Sequence, residues 1–165
     1  MCDLEMFGIL AEPEDKAVLD RFCQGGCHVA SIKLEIKSLD ALRQACQRLG
    51  FQWMEGQRTY RWFGRWVGDS PLPEGVSVED LGKCDHAIQV PGASYEVGVV
   101  YKNGTWRLLW DFWSTGGLAP FLGKEGERLK QAYGIEVAKM QAQRSGYSVW
   151  EEQQQDGGVR LHIQV

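Results

Sequence analysis

Asn103 and Gly104 stand between two runs in which apolar and polar side chains alternate. An Asn-Gly pair in that setting favours a two-residue type I′ turn, whose twist matches that of the strands it joins. The turn then sets the pairing. Tyr101 faces Trp106, Val99 faces Leu108, Val97 faces Trp110 and Tyr95 faces Phe112. Every pair on that face is aromatic or branched, as strongly coupled strands prefer. The same register sets Glu96 opposite Asp111 on the other face. Like charges directly opposite destabilise a sheet. Either a cation (Arg61, Arg65 or Arg107) stands nearby, or the face is solvated, or the register is bulged.

The rest of the chain supplies partners for this hairpin. Ala30, Ile32, Leu34 and Ile36 alternate with Lys33, Glu35 and Lys37, which predicts a half-buried strand. Ser38 then suits a helix N-cap. Leu39, Leu42, Cys46 and Leu49 recur at helical spacing up to Gly50. Residues 51–54 read as a strand, and 67–83, rich in Pro, Gly, Asp and Ser, as a long surface loop. Cys84, His86, Ile88 and Val90 alternate as a further strand ended by Pro91-Gly92. After Gly116-Gly117, residues 118–145 read as a long helix broken early by Gly123 and Gly126. Its expected buried stripe is Leu129, Ala132, Tyr133, Val137 and Met140. A last hairpin turns near Asp156-Gly157-Gly158, with its register open.

One stretch of sequence occurs twice in outline. Gly50-Phe51-Gln52-Trp53-Met54-Glu55-Gly56-Gln57 is echoed by Gly146-Tyr147-Ser148-Val149-Trp150-Glu151-Glu152-Gln153. Each copy follows a helix-patterned segment, which follows a strand-patterned one. The order β-α-β-loop-β-β-β-α-β-β predicts an α+β two-layer sandwich, mainly antiparallel, with two helices on one face. The echo suggests two β-α-β halves related by a pseudo-twofold.

Composition sets limits on function. A chain of 165 residues is one domain by default and buries a core without staples. The net charge of −4 argues against a general nucleic-acid sponge. No apolar run reaches the ~18 residues of a membrane span. Residues 1–27 read as an N-terminal extension without a signal-peptide pattern, with a short helix over 13–22. Five cysteines, an odd count, point to a reducing cytoplasmic compartment without disulfides.

Several stretches carry a resemblance. They are His28-Val29-Ala30-Ser31-Ile32-Lys33, Leu39-Asp40-Ala41-Leu42, Tyr95-Glu96-Val97-Gly98, Trp110-Asp111, Gln131-Ala132-Tyr133 and Asp156-Gly157-Gly158-Val159-Arg160-Leu161. In that order, residues 28–165 resemble the hypothetical chloroplast reading frame 35 family, known from cyanobacteria, plastids and scattered other bacteria. The extension 1–27 and an insertion at 67–83 depart from the family pattern. Family members have no characterised function. They are often encoded near an AAA-type ATPase and a ferredoxin, which implies an ATPase partner or an iron–sulfur context.

Three constellations are candidates for function. Cys23, Cys27, His28, Cys84 and His86 offer thiolate and imidazole, a donor set that suits zinc or an iron–sulfur cluster. The structural reading of the same residues is core cysteines and hydrogen-bonded histidines. On strand parity Cys84 and His86 point the same way as Ile88. Glu96 and Asp111 are the paired carboxylates, read either as a surface couple or as an acid–base pair that needs a pocket. The segment 58–66 interleaves Arg58, Arg61 and Arg65 with Tyr60, Trp62, Phe63 and Trp66. Such a stretch is a strand burying one aromatic face, a protein interface, or a nucleic-acid stacking surface. Its alternation puts Tyr60 and Trp62 on one side, and Arg61, Phe63 and Arg65 on the other.

No nucleophile–base order, phosphate loop or dinucleotide fingerprint occurs. The expectation is therefore a non-enzymatic interaction protein without a cofactor. Its surface would be Arg58, Tyr60, Arg61, Trp62, Phe63, Arg65, Trp66, Glu96 and Asp111, and its partner another protein, an AAA-type ATPase or a second copy. A zinc or iron–sulfur protein and a small nucleic-acid binder are the alternatives.

Overall fold

The computed structural model describes residues 2–6, 29–68 and 70–165, the first five by backbone alone. The strands are β1 (Cys2–Met6), β2 (Val29–Ile36), β3 (Gln52–Met54), β4 (His86–Gln89), β5 (Glu96–Lys102), β6 (Thr105–Asp111), β7 (Ser148–Gln153) and β8 (Val159–Gln164). The helices are α1 (Leu39–Leu49), α2 (Ala119–Leu122) and α3 (Glu127–Arg144). The helix expected over 13–22 lies outside the described residues, as do Cys23, Cys27 and His28. From residue 29 the element order is the expected one, with the second helix split where Gly123 and Gly126 interrupt it.

The fold is α+β. Five strands form an antiparallel sheet in the order β2-β6-β5-β4-β3, and three form a second sheet in the order β1-β8-β7. The central hairpin has the expected register. Lys102 pairs with Thr105, Tyr101 with Trp106, Val99 with Leu108, and Gly98 with Leu109. Asn103 and Gly104 take φ of 53° and 80°, as a type I′ turn requires. The ladder ends at Gly98 and Leu109, short of the expected pairs Val97–Trp110, Glu96–Asp111 and Tyr95–Phe112. Asp111 Oδ1 accepts from the Trp113 amide at 3.1 Å and turns the chain into a 3₁₀ turn, and the Tyr95 amide donates to the Gly116 carbonyl instead.

Helices α1 and α3 cover one face of the five-stranded sheet. Ile88, Val97, Val99, Leu108 and Trp110 point up into Leu42, Leu129 and Tyr133. α1 starts where expected: Ser38 Oγ accepts from the Ala41 amide at 3.1 Å. The Tyr133 hydroxyl accepts from the Lys37 amide at 2.9 Å and so ties α3 to the β2–α1 junction. Cys46 is a core residue, and burial pushes its thiol up to about 12.

The echoed sequences are one helix-closing motif used twice. Gly50 and Gly146 take left-handed φ of 74° and 79°. At the first, the Phe51 amide reaches the Cys46 carbonyl and the Gly50 amide the Gln47 carbonyl. At the second, Tyr147 reaches Ala142 and Gly146 reaches Gln143. Both are Schellman closures, which need glycine at the left-handed position and place the next residue beside a small side chain five positions before it, Cys46 or Ala142. The strands that follow join different sheets: β3 lies at the edge of the large sheet and β7 at the edge of the small one.

Two sheets form because α3 is apolar on two sides. Leu129, Ala132 and Tyr133 face the large sheet, while Ile135 packs on Val159 and Leu161 of the small one. Val137, expected in the buried stripe, is exposed. A half-buried charge network completes this joint. Arg48 lies 2.7 Å from Glu136 and 2.5 Å from Glu151, and Lys139 lies 2.6 Å from Glu151. The final hairpin pairs Trp150 with His162 and Gln153 with Val159. Cys2–Met6, within the expected extension, pairs along β8.

Candidate interaction surface

The second face of the large sheet is covered by chain between residues 57 and 83. Residues 58–66 are not a strand, contrary to the simplest reading of their alternation. They form a loop laid across β4, β5 and β6. One bridge, Thr59 to Lys83, and two amide bonds, Tyr60 to the Gly82 carbonyl and Cys84 to the Arg58 carbonyl, hold its start.

Glu96 and Asp111 hold the rest. Neither is on a solvated face: Glu96 is 2% exposed and Asp111 0%. The Glu96 amide donates to the Arg61 carbonyl at 2.9 Å. Glu96 Oε2 accepts from the Arg61 amide at 2.8 Å and from Gln57 Nε2 at 3.0 Å, and its Oε1 lies 3.2 Å from Arg61 Nη2. Asp111 Oδ2 accepts from the Phe63 amide at 3.0 Å. Of the three expected outcomes for the pair, the cation is realised, and Arg61 supplies it at Glu96. Arg107 instead donates to the Glu74 carbonyl. A buried carboxylate is costly unless it is hydrogen-bonded. Here the bonds go to backbone amides two residues apart, so two strand carboxylates impose strand-like alternation on a loop.

That alternation sorts the six candidate residues from Tyr60 to Trp66, and Arg58 before them is exposed as well. Tyr60 is 3% exposed and lies flat on Gly98, whose missing Cβ would stand 2.4 Å from the Tyr60 ring. Trp62 and Trp66 pack down with Leu72 and Val76 onto Val29 and Leu81. Arg58, Arg61, Phe63 and Arg65 point outward, with the Phe63 residue 45% exposed and the Arg61 side chain 61%. Arg58 stands 3.4 Å from Asp85. The segment expected as a loop insertion contributes Leu72, Val76 and Leu81 to this packing. It is pinned by Lys102, whose ammonium stands 2.5 Å from Asp80. That bond, with two more from Ser77, holds the Asp80 carboxyl down at about 2.

The carboxylates do not have the makings of an acid–base pair. General acid–base work needs a group that reaches a substrate, and these two are covered and bonded to amides. Nor does the structure bring Cys84 and His86 together. The chain enters β4 only at His86, so parity fails before it. Cys84 lies under the loop with Tyr60 and Leu109. Its thiol donates to the Gln57 carbonyl at 3.1 Å, and burial pushes it up to about 12. His86 stands at the rim of the helix side, its ring centroid 5.1 Å from that of Trp53 and 5.5 Å from that of Trp106. Its Nδ1 accepts from the Gly56 amide at 3.0 Å. Among the described residues no group of three or more His, Cys, Asp or Glu could hold a metal ion.

Some participants were not visible in the sequence. Gln57 bridges Glu96 and the Thr59 carbonyl. The ring row Trp53, His86, Trp106, Tyr101 gathers residues of four strands, with the Arg43 guanidinium 5.5 Å from the Trp53 ring. Only sheet order brings Trp53 and His86 beside the Tyr101–Trp106 pair. No protein-family model, curated protein or solved structure matches the chain. Among the described residues no helix is long and apolar enough to cross a membrane.

Proposed function

We propose that this chain is a non-enzymatic interaction protein of the cytoplasm, and that it docks a protein partner through the outward row of the 58–66 loop: Arg58, Arg61, Phe63 and Arg65. The observation that carries the reading is the carboxylate clamp. Apolar residues at positions 96 and 111 would cover the sheet at lower cost, since buried charges are expensive. The two carboxylates instead fix the path of one loop and hold a phenylalanine among three arginines in solvent. Ordering such a loop in advance reduces the entropy cost of binding. Arg and aromatic residues dominate interface energetics. Tyr60, Trp62 and Trp66 are the supports of this surface rather than its contacts.

The resemblance to the chloroplast reading frame family suggests the partner, an AAA-type ATPase, with a second copy of the chain as the other candidate. The nucleic-acid alternative is weakened because Asp85 and Glu96 already neutralise Arg58 and Arg61. The test is a quantitative pull-down of the neighbouring-type ATPase with Phe63→Ala/Arg65→Ala. These two side chains take no part in the clamp. Binding should weaken by about tenfold or more, as at a hot spot, with the thermal midpoint within a few degrees of the parent. Trp62→Ala should lower the midpoint. Undiminished binding by the double variant would remove the proposal.

A further inference from the structure

A second surface stands apart from the 58–66 loop and does not depend on that reading. β2 is an edge strand, and among the described residues no backbone hydrogen bond runs outward from it. Beside it lies an open groove of about 690 Å³ lined by every residue from Val29 to Glu35. Consecutive strand residues point to opposite faces. A groove that touches seven in a row therefore follows the strand's outer edge rather than one face of the sheet.

The opposite wall is the stretch from Ser70 through Pro71, Leu72 and Pro73 to Glu74, apart from Asp69, which precedes it outside the described residues. Two of these wall residues are prolines, which have no amide hydrogen to give. The Glu74 carbonyl is already taken by Arg107. The wall thus bounds the groove without completing the ladder of β2. The strand also bulges here: Ile32 pairs with Leu108 and Ile36 with Trp106, so three residues of β2 oppose Arg107 alone. A bulge bends its strand, and Trp106, Arg107 and Phe112 line the groove as well.

We infer that this groove binds one extended polypeptide segment of a partner protein, which adds to β2 as a sixth strand of the large sheet. Its size fits one chain. Seven residues span about 23 Å at strand rise, which leaves a cross-section of about 30 Å², less than the roughly 48 Å² that one strand occupies in packed sheets. One strand fits there with its outer side chains left in solvent, which the open groove allows, and a second sheet edge with its own wall does not. The chemistry of the segment follows from the lining. Alternate residues are apolar to meet Leu34 and Trp106 on the helix side, and the residues between them face the wall at Leu72. One residue between them is acidic, because Lys33 is exposed and forms no ion pair among the described residues, whereas Glu35 of the same lining stands 3.4 Å from Lys37. A lysine on a bulged edge discourages indiscriminate pairing, so the acidic residue confers selectivity as well as affinity.

The test uses the full chain, isotope-labelled, with acetylated octapeptides that carry valine or leucine at alternate positions and threonine or glutamate between. The same peptides N-methylated at alternate nitrogens are the control. Binding should slow amide exchange along residues 29–36 by about tenfold or more and shift the Leu72 and Trp106 signals. Lys33→Glu should weaken the glutamate peptides by about fivefold, the scale of a cross-strand charge reversal. The N-methylated peptides should not bind. Unchanged exchange in β2 at saturating peptide would overturn the inference. Equal binding of the N-methylated set would overturn it too, since that is apolar adsorption without strand pairing. A peptide-free dimer protected at β2 and dissociated by Lys33→Glu would assign the edge to a second copy, and the inference would again fail.

Discussion

Replacing Gly98 with alanine tests the packing under the docking loop, because two effects of known size oppose each other there. Glycine inside a strand costs about 0.5–1 kcal/mol relative to alanine, so the substitution alone should stabilise. The new Cβ, however, would stand 2.4 and 2.6 Å from two carbons of the Tyr60 ring. Tyr60 has no easy retreat. It is 3% exposed, its amide is bonded to Gly82, and the next residue is held by Glu96. Overpacking of this kind costs about 1–3 kcal/mol, and expelling the ring instead forfeits about 2–3 kcal/mol of burial. The cheaper route costs about 2 kcal/mol, so Gly98→Ala should destabilise by about 1–1.5 kcal/mol net. In a Tyr60→Ala background the clash is gone, and Gly98→Ala should then stabilise by about 0.5–1 kcal/mol. Urea unfolding followed by tryptophan fluorescence measures all four corners of the cycle. The same sign in both backgrounds would refute the contact, and with it the account of how the loop is seated.

Two further outcomes follow from the titratable groups. Glu151 is held at about 2 against an ordinary 4.5, first by its hydrogen bond from Arg48 and also by Lys139. A carboxyl depressed by folding contributes stability above its unfolded value and loses it as pH falls through the folded one. Unfolding free energy should therefore fall between pH 4.5 and about 2, by up to about 3 kcal/mol from this group. Asp80 titrates in the same window, so the diagnostic is the difference between the parent and Glu151→Gln, which should flatten the profile. Cys46 and Cys84, buried and raised to about 12, should resist a thiol reagent at pH 8 in the native protein and react in urea. Peptide mapping by mass spectrometry reads this directly, and rapid native labelling of Cys84 would contradict its place under the loop.

Most of the fold was legible in the sequence because local rules dominate it. Asn103-Gly104 dictates its own turn, Ser38 its cap, and Gly50 and Gly146 their left-handed closures, each through backbone bonds within a few residues. The order of elements from residue 29 follows from such signals. The alternation within 58–66 was legible too, although it belongs to a loop, since bonds to Arg61 and Phe63 two residues apart impose the same period as a ladder. Parity does not carry from His86 back to Cys84, because it holds only inside a strand and the strand begins at His86.

The chain by itself thus determined its turns, its caps, the register of the central hairpin next to its turn, and a carboxylate on each strand of that hairpin. Tertiary structure decided what those carboxylates are for. Burial depends on which distant segment covers a face, and the covering segment here lies 35 residues from Glu96 and 48 from Asp111 along the chain. Tertiary structure also decided that β7 leaves the large sheet for a second one, because α3 carries apolar residues on two sides and a single-stripe reading sees one. The place of β2 at the edge of the large sheet is decided the same way. No residue of that strand encodes being last in the sheet; that follows only from the order in which the other four strands stack beside it.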